Sequence, residues 1–254
     1  MQQLFYDRDS VGPLNGVRVL DMSRLIAGNV LSAQLGDFGA EVIKVEMLPN
    51  GDPLRAWKSN GISTYWKAYC RNKKSLALNM RDPKGLSIIK QLATTCDVFI
   101  ENMIPGRLEN MGIGPMVLHQ DNPGLVIVRI SGFGQTGPYS SRPGFGTVIE
   151  AMSGFAAKNG YAGEAPLVPP MALADMLAGL SGAMATLAAL RFRDANGTGQ
   201  VIDLSLLEPL VAAIGADAAD YAVTGSIKPR LGNASNTSSP RNLYLTKDGR
   251  WVAI

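Results

Sequence analysis

The sequence predicts an α/β protein with a mainly parallel sheet covered by helices on both faces. Three observations predict it. Short apolar runs alternate with helical patterns along most of the chain, which is the signature of strand-helix-strand units. The runs at 17–21 (VRVLD), 97–101 (DVFIE) and 125–130 (LVIVRI) are apolar enough for strands buried on both sides. The chain has 254 residues, 46% hydrophobic and 18% charged, enough for a substantial core and too apolar for disorder.

Taken in order, 17–21 reads as a strand, 30–38 as a helix and 42–46 (VIKVE) as a second strand. Residues 47–74 are rich in Gly, Pro, Asn and aromatic side chains without periodicity, and read as a long ordered loop of the kind that holds ligands. A strand at 75–79 follows, then a helix over 84–93 with Asp82 as N-cap and Pro83 at the first helical position. After the strand at 97–101 come a short helix at 105–111 and the strand at 125–130, which runs into a glycine-rich turn at 131–137 (SGFGQTG). Helices are predicted at 144–155 and 175–193, the second ended by Asn196-Gly197. Residues 200–206 (QVIDLSL) alternate as a strand, 207–223 read as one helix, 231–241 as a polar loop, and 243–245 with 251–254 as a hairpin about Lys247-Asp248-Gly249. The chain stops inside an apolar strand, so a truncated chain or a missing partner segment is expected.

Lys and Arg (24) exceed Asp and Glu (21) by only three, too few to define a nucleic-acid surface. Two cysteines, Cys70 and Cys96, without a CxxC pair support neither a disulfide framework nor a zinc site, and point to a reducing, cytoplasmic compartment. Residues 1–9 carry no apolar signal core. Residues 171–190 are apolar with a single charge, Asp175; their small side chains suit a helix in a tight protein core rather than a membrane span.

The turn after the first strand, 22–28 (MSRLIAG), lacks the G-x-G-x-x-G of a dinucleotide fold, and Gly132, Gly134 and Gly137 have the wrong spacing. With His119 as the one histidine, read as solvent-facing, acid, base or nucleophile roles fall to carboxylates, lysines or hydroxyls. Asp175 stands out, because a charge in apolar surroundings must be hydrogen-bonded or functional. It reads as a helix N-cap or as a nucleophile held by one, and the two roles are compatible. The run Arg71-Asn72-Lys73-Lys74, with Arg81, Lys84 and Arg107, is either a phosphate receiver or a solvated face.

Seven ordered stretches carry a resemblance: 16–21 (GVRVLD), 35–46 (LGDFGAEVIKVE), 101–106 (ENMIPG), 131–143 (SGFGQTGPYSSRP), 172–179 (ALADMLAG), 197–207 (GTGQVIDLSLL) and 231–233 (LGN). Together they resemble the class III coenzyme A transferase family of CaiB/BaiF type, which includes formyl-CoA transferase, carnitine and bile-acid CoA-transferases and α-methylacyl-CoA racemase. The resemblance implies a Rossmann-like large domain over 1–206, a linker helix and the start of a smaller second domain over 207–254, and an interlocked homodimer, with no permanently bound cofactor and with acyl-CoA and a carboxylic acid as substrates. It makes Asp175 the nucleophile, forming an aspartyl anhydride and then an aspartyl-CoA thioester. By position it assigns CoA contacts to Ile26 and Ala27, to Leu78, Asn79, Met80 and Arg81, to Asn102, Met103 and Ile104, and to Phe145.

The sequence departs from the family in four places. Phe145 stands where racemases carry a histidine, which disfavours two-base proton transfer. Met47 and Asn110 replace frequent arginines, leaving phosphate contacts to Lys44, Arg107 or Lys73. Residues 235–238 (SNTS) replace the glycine-rich loop of formyl-CoA transferase, and family members extend beyond residue 254. An acyl-CoA racemase, or a catalytically silent chain that pairs with another, are the competing readings.

Overall fold

The structure, a computed structural model, describes residues 11–254; the segment 1–9 considered above lies outside the described residues. Six parallel strands form one sheet in the order β3-β2-β1-β4-β5-β6: β1 (Arg18–Asp21), β2 (Glu41–Met47), β3 (Lys73–Leu78), β4 (Val98–Glu101), β5 (Val126–Ser131) and β6 (Val201–Ser205). The chain starts in the middle, winds out to β3, then returns across β1 to build β4, β5 and β6. Val19 therefore pairs with Val42 on one side and with Val98 on the other.

Each strand feeds two cores because successive side chains point to opposite faces. Val19, Val98, Ile100, Val126 and Val128 pack on one face against α1 (Ala27–Asp37) and α8 (Leu173–Asn196). Leu20, Phe99 and Ile127 pack on the other against Ile89 of α3 (Pro83–Ala93), Leu108 of α4 (Arg107–Asn110) and Leu118 of α5 (Pro115–Asp121). This is the mainly parallel, doubly covered sheet the sequence predicts. Asp82 caps α3 as expected, accepting the Lys84 N–H at 2.9 Å with Pro83 next in line. α8 is long and apolar enough to cross a bilayer by length and composition. Here its small residues let it lie close on α1: a β-carbon at Gly179 would come within 2.8 Å of Val30 and of the Ala27 carbonyl.

Several expected elements differ. The stretch 47–74 is not a bare loop; it holds a 3-10 turn (Pro53–Ala56) and α2 (Thr64–Tyr69). α1 starts three residues before the periodic pattern does, and α5 occupies a stretch to which the sequence reading assigned no element. His119, on α5, is half-buried rather than solvent-facing, with Nε2 2.9 Å from the Leu125 carbonyl. The helix predicted over 144–155 is shorter, α6 (Gly146–Met152), with a separate turn α7 (Phe155–Lys158). The single helix predicted over 207–223 is two, α9 (Leu207–Ile214) and α10 (Asp217–Thr224). They are broken at Gly215, whose φ of 83° and ψ of −130° suit glycine alone. β7 (Leu243–Leu245) and β8 (Trp251–Ala253) pair antiparallel as the expected hairpin.

The basic run divides between surface and interior. Arg71 and Lys74 are tied to Asp37 and Glu41. The Lys73 side chain is buried, with Nζ 2.9 Å and 3.0 Å from the Asn29 carbonyl and Oδ1 and 3.5 Å from Asp21. Lys44 is fully buried and lies 3.2 Å from Asp21 and 3.5 Å from Asp52. Neither Lys44 nor Lys73 is free for a phosphate, because each already compensates a carboxylate that has lost its water.

Candidate active site

The carboxyl ends of β1, β4, β5 and β6 open on a cleft of ≈ 650 Å³. It lies where the strand order reverses between β1 and β4, so the loops after these two strands diverge and leave a crevice. Asn102 joins the two lips: its Oδ1 accepts the Arg24 N–H at 3.0 Å and its Nδ2 donates to the Arg24 carbonyl at 2.8 Å. Behind it Glu101 accepts the Met103 N–H at 2.7 Å and Arg129 Nε at 2.9 Å, and Arg129 also reaches Glu109 at 2.7 Å. The segment after β4 is thus held at both ends.

Asp175 is the third residue of α8 and lines the cleft half-buried. It is not the N-cap: α8 is capped at Ala172 without a side-chain bond, because the helix starts two residues before Asp175. The carboxylate points instead between α1 and α6. Among the described residues no cation lies within ion-pair distance of it. Burial pushes its pKa from the ordinary 3.8 to about 6, with a further rise from the charge of Glu150 on α6; the Ala27 N–H and Asp175's own N–H oppose the rise. Glu150 is itself buried and accepts the Ala174 N–H at 3.3 Å.

The opposite wall comes within van der Waals contact at Gly146, where a β-carbon would overlap Asp175 Oδ2. Gly146→Ala is expected to leave Tm within a few degrees, because alanine is the better helix former by about 1 kcal/mol. It displaces the carboxylate, so any reaction that uses Asp175 falls by roughly tenfold or more, as about 1 Å of misplacement does in other sites. Thermal melts beside turnover measurements separate the two effects.

Of the residues assigned from the sequence, Ile26, Ala27, Asn102, Met103, Ile104, Phe145 and Asp175 line this one cleft. Leu78, Asn79, Met80 and Arg81 do not; they sit at the end of the edge strand β3, with Met80 buried in the core and Asn79 Oδ1 accepting the Arg81 N–H at 3.1 Å. Of residues 235–238, Ser235, Asn236 and Thr237 face a separate surface groove with Lys158 and Arg241. Arg107 remains exposed on α4. The residue reading missed Trp57, Tyr65 and Tyr69, which form an aromatic wall with Trp57 and Tyr65 edge to face at 5.3 Å. It also missed Arg24, Arg142 and Glu150. Aromatic residues in an aperiodic loop and a carboxylate inside the apolar pattern TVIEAM were the available signals. Among the described residues no group of three or more His, Cys, Asp or Glu side chains is placed to hold a metal ion.

Fold and site together define a doubly wound α/β protein with an unpaired carboxylate at its crevice. The sequence profile of CoA-transferase family III matches residues 14–254, and the chain belongs to that family. It is 41% identical over 245 residues to a succinyl-CoA–D-citramalate CoA-transferase of Chloroflexus aurantiacus, covering 95% of this chain and 61% of that one. It is 42% identical over 249 residues to a succinyl-CoA:glutarate CoA-transferase of Mus musculus, covering 97% and 57%. The crystal structure of a CAIB/BAIF family protein from Brucella suis superposes with a TM-score of 0.88 at 33% identity, over 95% of this chain and 65% of that one. The chain thus spans about three-fifths of the length of the curated relatives it matches.

Proposed function

We propose that the protein moves coenzyme A from an acyl-CoA donor to a free carboxylic acid, with Asp175 as the nucleophile. The observation that carries the reading is the unpaired, half-buried carboxylate of Asp175 facing a crevice roomy enough for a thioester. Desolvation makes a carboxylate more basic and a better nucleophile.

Asp175 attacks the donor carbonyl, the C–S bond breaks, and CoA leaves as thiolate. The thiolate attacks the aspartyl carbonyl of the resulting anhydride, releasing the donor acid and leaving an aspartyl-CoA thioester. The acceptor carboxylate attacks that thioester, again expelling thiolate, and the thiolate takes the acceptor acyl group from the second anhydride and restores Asp175. Each intermediate is as reactive as the thioester, so the acyl energy is conserved provided water is kept out. Trp57, Tyr65 and Tyr69 are the apolar wall available for that exclusion.

The substrates named for the relatives support dicarboxylates as the first acceptors to try. The reading needs no resident cofactor. It carries two interlocked subunits and a cytoplasmic location; the exposed stripe of Leu180, Met184 and Leu187 along α8 is in keeping with a covering chain, and the free Cys70 and Cys96 with a reducing compartment.

The test is chromatography of the thioesters after incubation with succinyl-CoA and glutarate, malate or citramalate. A new acyl-CoA is expected, formed at a rate that rises through about pH 6 as Asp175 loses its proton and levels off above pH 7. Thioester hydrolysis without transfer, or no turnover with any acid offered, would overturn the reading.

A further inference from the structure

Asp52 lies outside the cleft, yet its buried carboxylate ties the β1–α1 turn, which lines the cleft, to β2 and to its own segment. Oδ1 accepts the N–H of Leu25 at 3.1 Å and of Leu54 at 2.8 Å; Oδ2 accepts Asn29 Nδ2 at 2.9 Å and lies 3.5 Å from Lys44 Nζ. Leu25 and Asn29 bracket the turn that carries Ile26 and Ala27 into the cleft, and Asn29 Nδ2 closes that turn on itself by donating to the Leu25 carbonyl at 2.6 Å. Leu25 sits at φ 64°, a left-handed conformation that a leucine keeps only when its surroundings hold it there. On the other side, the Asp52 N–H donates to Glu46 at 3.0 Å, and Glu46 grips Arg55 through two bonds of 2.6 Å and 2.7 Å. Arg55 in turn stacks 3.7 Å over Trp66, in the segment that bears the aromatic wall.

We propose that Asp52, with Asn29, is a positioning residue for the transfer reaction, a latch that locks the β1–α1 turn to the β2–β3 segment and so fixes the Ala27 backbone in the cleft wall it shares with Asp175, on the side where α8 packs against Ala27 one turn further along, at Gly179. Ala27 opens α1, so its N–H has no partner within the helix and is free for an oxygen in the cleft. Such a donor stabilises the oxyanion that develops on the aspartyl carbonyl each time thiolate or carboxylate attacks it. The inference rests on the transferase reading above, and wild-type turnover tests that reading separately.

The latch predicts a signature that mere packing does not. The groups that act on Asp175 are Glu150 from α6, the Ala27 N–H from α1 and its own N–H, with the guanidiniums of Arg24 and Arg142 elsewhere on the cleft wall. Of these, the Ala27 N–H is the one the latch controls, and it favours the ionised carboxylate. Releasing it therefore moves the acid limb of the pH profile upward from about 6.

The experiment is steady-state transfer from succinyl-CoA across pH 5 to 9 with Asp52→Asn, rates being referred to folded protein by circular dichroism. Asp52→Asn keeps an oxygen for Leu25 and Leu54 but turns a donor toward Asn29 and Lys44. Should it fail to fold, Asn29→Ser cuts the same connection from the α1 side. The expected result is a kcat lowered by about 10- to 100-fold, a donor KM changed less than about threefold, and an acid limb moved upward. Unchanged kcat and pH profile per folded molecule would overturn the proposal and leave the latch a structural tie. A raised KM with unchanged kcat would overturn it too, showing a role in binding alone. Wild type without transfer activity would strike the functional reading itself.

Discussion

Asp175→Asn is expected, on the proposed mechanism, to lower CoA transfer by on the order of 10³-fold or more while leaving the fold intact, because the amide cannot form the proposed anhydride. The same substitution is expected to hold or raise Tm at pH 7. The sign follows from the raised pKa: between about 4 and 6 the folded state binds the Asp175 proton more tightly than the unfolded chain, so the stability contributed by the neutral form is lost as pH rises through that window. Above it the native protein carries a desolvated charge that asparagine does not. A variant that is inactive and at least as stable as wild type separates chemistry from misfolding. One that is inactive and melts far below wild type would show that the carboxylate supports the fold.

The second large effect lies beneath the site. Lys44→Met is expected to destabilise the protein by about 3–5 kcal/mol, because it leaves Asp21 and Asp52 buried with less compensation. Burial alone would raise the Asp21 carboxyl; Lys44 and Lys73, with bonds from the Ser23 and Ser32 hydroxyls, outweigh it and hold the group below its ordinary value. Methionine fills the volume of the lysine stem but supplies no charge. For a domain of this size such a loss lowers Tm by roughly 6–20 °C, measurable by calorimetry beside an exposed control such as Lys84→Met. A shift within 2 °C would mean that the cluster is compensated without Lys44.

The alternation of elements was legible because each strand buried on both faces must be apolar throughout, and because Asp82-Pro83 marks a helix start chemically. What escaped were features that depend on which strand lies beside which. Lys44 in VIKVE reads as a surface or ligand lysine until β1 is placed next to β2, which brings Asp21 against it. The same holds for Lys73, in a basic run that looks solvated until α1 closes over it. Helix ends set by tertiary contacts were also missed: nothing local announces that α8 begins at Leu173, so Asp175 reads as a cap when it is one turn further in. At the site, the residues on β1–α1, after β4 and on the β5–α6 loop converge because the strand order reverses there. The residues after β3 stay apart because β3 is the sheet edge. The aromatic wall was only half legible: Tyr65 and Tyr69 lie four residues apart on α2, but nothing local brings them beside Trp57 on the same cleft.

The central claim, that Asp175 becomes acylated and then carries CoA, is tested most directly by rapid quenching with succinyl-CoA followed by intact mass and peptide mapping. The account predicts a CoA or succinyl adduct on the peptide that contains Asp175, absent in Asp175→Asn and discharged by an acceptor acid. Transfer proceeding with the protein unmodified at every quench time, or an adduct on Cys70 or Cys96 instead, would contradict it.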